Sequence, residues 1–124
     1  MSSGFPKMNI YNSKTGMFRF TDLLFSHCYS GTGKGRNNPA MEAVKAVGPI
    51  PRGMWLIIGV KDSVNTGPYS LILEPVEHDA HGRSLFRIHG DNKEHDASHG
   101  CIIMSPLELR RKIWQSGDHS LRVE

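Results

Sequence analysis

Cys101 and the histidines around it are the residues of this sequence best equipped for covalent chemistry. From Phe86 to Met104 the chain reads FRIHGDNKEHDASHGCIIM, a stretch holding three of the seven histidines and one of the two cysteines. A thiol attacks a carbonyl only as thiolate, and an ordinary cysteine is mostly protonated at neutral pH, so Cys101 needs a base or a cation nearby. His89 lies twelve positions earlier and can take the thiol proton if the chain between them folds back. A base in turn needs an orienting group, and two follow directly: the Gly90 carbonyl and the Asp91 carboxylate. The second is equally suited to holding the loop through backbone amides. Gly100 has no side chain to bar a substrate from the backbone, and the Gly100 and Cys101 amides are candidate donors to a developing oxyanion. His99 can donate a further hydrogen bond, orient Ser98, or simply hold the loop. From the residues alone, a nucleophile stands beside a buried thiol or a metal ligand as readings of Cys101.

The flanking sequence says how such a pair would be positioned. Leu85 to Ile88 reads as a strand delivering His89, and Ile102 to Met104 reads as a second strand led by Ser98-His99-Gly100-Cys101. Earlier, Met8 to Phe20 carries two alternating pieces around a turn ending in Gly16, a hairpin pattern. An apolar run from Leu23 to Tyr29 follows, closed by Ser30-Gly31-Thr32-Gly33-Lys34-Gly35, whose spacing is not that of a phosphate-binding loop. Ala40 to Lys45 suits one or two helical turns before the stiff Gly48-Pro49-Ile50-Pro51-Arg52-Gly53 loop. Met54 to Val60 and Tyr69 to Val76 read as strands for the interior of a sandwich or barrel. Ser105, Pro106 and Glu108 compose a capping box for a short helix burying Leu107, Ile113 and Trp114 and ending near Gly117. Leu121 to Val123 reads as an edge strand.

Composition narrows the class. A chain of 124 residues fits one domain over 1–124, with 38% hydrophobic residues, 13 glycines and 7 prolines, so a mainly β fold with one or two short helices is expected. A formal charge of +3 without basic-aromatic clustering argues against nucleic acid. No segment is apolar enough for a membrane span, and MSSGFPKMNIYN lacks the pattern of a secretory leader. His78 and His81 have metal-like spacing but no strong ligand set around them, so no metal or other cofactor is expected. Cys28, among apolar neighbours, reads as a buried structural thiol, with a disulfide to Cys101 as the alternative.

The H-G and S-H-G-C elements resemble the signature of L,D-transpeptidases of the YkuD type. Tyr29-Ser30-Gly31, Asn37-Asn38-Pro39-Ala40-Met41, Val47 to Gly53, Gly67-Pro68-Tyr69, Gly82-Arg83-Ser84 and Ile88 to Asn92 are similar to the type VI secretion L,D-transpeptidase effectors. The resemblance implies a YkuD-like β-sandwich or barrel and an antibacterial toxin acting on peptidoglycan tetrapeptide stems in the periplasm of a rival cell. It would be delivered by a secretion apparatus rather than a signal peptide and countered by a cognate immunity protein. It implies Cys101 as nucleophile, His89 as base, and Ser98, His99 and Gly100 as the rest of the motif. Arg83 is expected to clamp the substrate carboxylate, or else to pair with a loop acid, and Asp91 is placed beside the substrate. Ile103 stands where many such enzymes carry a polar residue. Two alternatives remain: a non-catalytic peptidoglycan-binding module on the same fold, and a zinc hydrolase using His89, His99 and Cys101. His95 is expected to face solvent without a role.

Overall fold

The computed structural model describes residues 8–21 and 24–124. The stretch read as lacking a leader, up to residue 7, and Leu23 at the head of the apolar run lie outside the described residues.

Nine strands form one mixed sheet: β1 (Asn9–Tyr11), β2 (Met17–Arg19), β3 (Phe25–His27), β4 (Tyr29–Ser30), β5 (Gly53–Ser63), β6 (Gly67–Val76), β7 (Arg87–His89), β8 (Ile102–Ile103) and β9 (Ser120–Val123). Their order across the sheet is β3-β2-β1-β9-β5-β6-β7-β8-β4. The mainly β expectation holds. The ladder does not close, because β3 and β4 end it without pairing to each other; since only Cys28 separates these two strands along the chain, the sheet bends round on itself. One α-helix, α1 (Leu107–Gln115), and three short 3-10 turns complete the described fold.

Local sequence accounts for most elements. The β1–β2 hairpin closes through Gly16, which donates to the Asn12 carbonyl (2.8 Å) at φ +78°, a conformation glycine takes without penalty. β5 and β6 pair along almost their whole length, with irregularities at Ile57/Gly59 and Lys61/Ser63. Trp55, fully buried, anchors the core: its indole N–H donates to the Pro51 carbonyl (3.0 Å) and its ring meets Phe86 edge-on at 5.0 Å.

Three expectations change. Ala40 to Lys45 makes only a 3-10 turn over Pro39–Met41 and further turns, and Ala46 beyond it takes a left-handed backbone (φ 62°). At α1 the capping box does not form: Pro106 is itself the cap residue, with no side-chain cap bond, and Glu108 pairs with Arg111 instead. Finally, β9 is not an edge strand. It lies between β1, which it pairs in parallel, and β5, antiparallel, burying Leu121 and Val123 while Arg122 faces out.

Candidate active site

Parallel pairing brings the two halves of the site together. β7 and β8 align Ile88 with Ile102 and His89 with Ile103. Ile88 and Ile102 are fully buried; alternation puts Arg87 and His89 on the other face of their strand. Cys101 precedes β8 by one residue, and the Arg87 backbone N–H bonds its thiol. Cys101 is therefore diagonal to His89 across adjoining strands, a separation that side chains can bridge.

The imidazole is set for proton transfer. His89 Nδ1 lies 2.8 Å from the Gly90 carbonyl. A carbonyl only accepts, so Nδ1 carries the hydrogen and Nε2 presents a lone pair in the neutral ring. Among the described residues Nε2 makes no hydrogen bond. Burial holds the imidazole pKa below its usual value, reinforced by Arg110 and Arg87 and opposed by the Gly90 bond, so the ring is neutral at neutral pH. Burial also raises the Cys101 thiol above the usual thiol value, although the Arg87 amide and the Arg87 and Arg83 cations pull the other way. The half-buried thiol points to the Leu85 carbonyl (3.6 Å) and is not bonded to His89. Thiol and imidazole are both neutral at rest.

Ser98 is the pin of the nucleophile turn. Its hydroxyl, fully buried, accepts from the Gly31 N–H (2.8 Å) and the Gly100 N–H (3.1 Å) and donates to the Cys101 carbonyl (2.6 Å). The Gly100 amide is thus committed inside the turn, whereas the Cys101 N–H makes no turn or loop bond among the described residues. Ser30 braces the same turn, donating to the Gly100 carbonyl (2.9 Å) and accepting from the Ile50 N–H (2.8 Å).

Arg83 sits where the substrate clamp was expected, but its guanidinium is occupied. Nη1 donates to the carbonyls of Glu42 (2.5 Å) and Pro49 (2.8 Å), and Nη2 to those of Gly48 (2.9 Å) and His99 (3.2 Å). It ties the 42–49 loop to the nucleophile turn, and it pairs with no loop acid. The space beside Gly100 likewise goes to Arg83: a Cβ on Gly100 (φ +135°) would come within 2.5 Å of Arg83 Nη2 and 3.0 Å of the Phe86 ring.

Asp91 holds the 91–97 loop. It accepts from the Tyr29 hydroxyl (2.6 Å), the Asn92 N–H (2.8 Å) and His95 Nδ1 (2.9 Å), so His95, exposed as expected, does have a partner. These donors keep the Asp91 carboxyl below the usual range against the opposing effect of burial. His99 is exposed, with Nδ1 3.3 Å from the Ala46 carbonyl.

Two residues escaped the sequence reading. Arg110, buried on α1, donates to the carbonyls of Met104 (2.6 Å), Ser105 (3.0 Å), Tyr69 (3.1 Å) and Pro68 (3.1 Å), and a Cβ on Gly90 would lie 3.3 Å from its Nη1. It fixes the His89 side as Arg83 fixes the Cys101 side. Tyr29 donates to Asp91, accepts from the Ala97 N–H (3.0 Å) and carries Arg36 over its ring at 3.7 Å. A helical arginine on a half-apolar face gives no signal of its own, whereas Tyr29 and Ser30 stood inside one of the motifs quoted for the resemblance.

Cys101 opens into a cleft of about 390 Å³ and His89 into a more polar one of about 660 Å³. His99 lines both. The two histidines with metal-like spacing are engaged: His78 Nε2 lies 2.9 Å from the Met54 carbonyl, and His81 pairs with Glu42 at 2.8 Å. No cluster of metal-ligating side chains occurs among the described residues. Cys28 is a buried free thiol, pushed up to about 12 by desolvation. No described helix is long and apolar enough to cross a membrane.

Fold and site together define a mainly β domain with a cysteine and a neutral histidine on adjoining parallel strands. A family model for the Tlde1 domain matches residues 26–122, and the chain belongs to that family, whose members are type VI secretion effectors. No curated protein matches the sequence.

Proposed function

We propose that this effector is an antibacterial cysteine enzyme that cuts peptidoglycan tetrapeptide stems at the L,D bond, on a YkuD-like fold. The observation that carries the reading is a neutral imidazole, with a free Nε2 acceptor, on the strand adjoining the one that Cys101 leads into. The step requires the thiol to turn from the Leu85 carbonyl toward His89. Nε2 takes its proton as sulfur bonds to the carbonyl carbon of the third stem residue, and the carbonyl electrons move onto oxygen. The Cys101 N–H is the available donor to that oxyanion. Collapse breaks the C–N bond, and the imidazolium gives its proton to the leaving D-alanine amine, producing a thioester. Water, deprotonated by the same imidazole, hydrolyses the thioester to tripeptide and restores the thiol; a free D-amino acid in its place gives exchange.

The effector family supports delivery by a secretion apparatus and a cognate immunity protein as partners. The site of action that fits the substrate is the periplasm of the target cell. One observation favours a second reading, a wall-binding module without turnover: the resting thiol is bonded to Leu85 and not to His89. Disaccharide tetrapeptide incubated with the protein and analysed by mass spectrometry separates the two. Tripeptide and a thioester adduct are expected, both absent from Cys101→Ala. Undiminished product from Cys101→Ala would remove the assigned nucleophile, and binding without adduct or product would favour the module.

A further inference from the structure

A stem peptide ending in a carboxylate calls for a cation beside the nucleophile, and Arg83 is spent on four backbone carbonyls. The Cys101 cleft has one other fixed positive charge in its wall, Lys45, and no carboxylate among its lining residues. Lys45 is exposed, and no hydrogen bond or ion pair engages its ammonium among the described residues. The acidic groups lie on the other side of His99, where Asp91 and Asp96 line the His89 cleft. An anionic group is therefore drawn to the Cys101 side.

The backbone that carries Lys45 is fixed to the nucleophile turn from both sides. Arg83 joins the Glu42 and Gly48 carbonyls to that of His99. The Ala46 carbonyl meets His99 Nδ1 (3.3 Å), and the Val47 carbonyl accepts from the Thr32 N–H (2.9 Å). Ala46 itself is held at φ 62°, a conformation that a non-glycine residue keeps only where surrounding contacts impose it. A flexible side chain on a fixed loop in the wall of the Cys101 cleft is suited to a substrate end that must be bound and then released.

We propose that Lys45 binds the terminal carboxylate of the leaving residue and makes the enzyme selective for peptides with a free carboxyl end. This rests on the Cys101 reading above and adds a specificity residue to it. The terminal carboxylate lies one residue beyond the scissile carbonyl, so it stays in the same cleft as Sγ during attack. Leu85, 82% exposed on the rim of that cleft, offers an apolar flank to the small side chain between them.

The test uses Cys101→Ala protein, which cannot turn over, titrated by calorimetry with the tetrapeptide and with its terminal carboxamide. The free carboxylate is expected to bind roughly fivefold more tightly, the range of a partly exposed charge pair. Adding Lys45→Ala removes that preference and Lys45→Arg keeps it. In the Cys101 enzyme, Lys45→Ala raises KM for the free acid by a similar factor and leaves kcat and the carboxamide unchanged. Equal preference with and without Lys45, or no preference in the parent, overturns the inference while the Cys101 reading stands on its own product assay. A protein that binds neither peptide overturns both.

Discussion

Replacing Arg83 by lysine separates a positioning residue from a substrate clamp. The guanidinium reaches four carbonyls in three directions, at 2.5, 2.8, 2.9 and 3.2 Å, and the residue is 8% exposed. A lysine ammonium keeps the charge but is a single point on a narrower stem, and it can satisfy about half of these acceptors. Hydrogen bonds to a charged donor contribute about 1.5–3 kcal/mol each, and an unmet buried acceptor adds its own cost. With water recovering part of the loss at the less buried contacts, Arg83→Lys is expected to lower stability by about 3 kcal/mol. In a domain of this size that is roughly 10–15 °C in Tm. Urea unfolding followed by tryptophan fluorescence measures it directly, Trp55 being buried against Phe86 beside the site. Turnover should fall through kcat as the nucleophile turn loosens. Stability within about 0.5 kcal/mol of the parent, with KM alone raised, would refute the positioning role and return Arg83 to the substrate.

Three further outcomes follow from the same geometry. Because the His89 base must be neutral and burial lowers its pKa, activity is retained at neutral pH and lost as pH falls through the folded-state value, so the acid limb of kcat/KM should lie below the usual ~6.5. Iodoacetamide labelling of Cys101 should be slow at pH 6 and rise only above the usual thiol range, as the raised thiol pKa requires; fast labelling at pH 6 would mean a thiolate–imidazolium pair instead. Gly100→Ala places a Cβ 2.5 Å from Arg83 Nη2 at φ +135° and should cost about 2–4 kcal/mol. Gly82→Ala, also at positive φ but with nothing within 4 Å, should cost about 1 kcal/mol. Equal costs by urea unfolding would show that backbone conformation, not the Arg83 contact, fixes that glycine.

The parts legible in the sequence were those whose signal is local. Alternation marked the β1–β2 hairpin, apolar runs marked β5 and β6, and residue chemistry singled out Cys101, His89 and the Gly90 carbonyl that the structure sets against Nδ1. What escaped depends on partners far along the chain. Leu121-Arg122-Val123 alternates like any half-exposed strand, and nothing in three residues tells a central position from an edge. Arg83 was read as a substrate clamp or the partner of a loop acid because its actual acceptors are carbonyls at 42, 48, 49 and 99, which carry no residue identity. The acceptors of Arg110 are carbonyls too. The Gly100 amide looked free because Ser98, its acceptor, was read only as a member of the motif and not as the centre of three bonds.

The central place of β9 governs when the site can exist. Asn9 to Tyr11 pair with Leu121 to Val123, and in the ladder β1, β2 and β3 reach the remaining strands only through them. Closing so long a loop is slow, and a sheet dominated by such sequence-distant pairings folds in milliseconds to seconds rather than microseconds. Until it closes, β5 presents an unpaired edge beside Leu56 and Ile58, both exposed apolar residues, and an edge of that kind recruits other chains. Refolding from the unfolded chain is therefore a race between one long-range strand insertion and aggregation, and its yield should fall steeply with concentration.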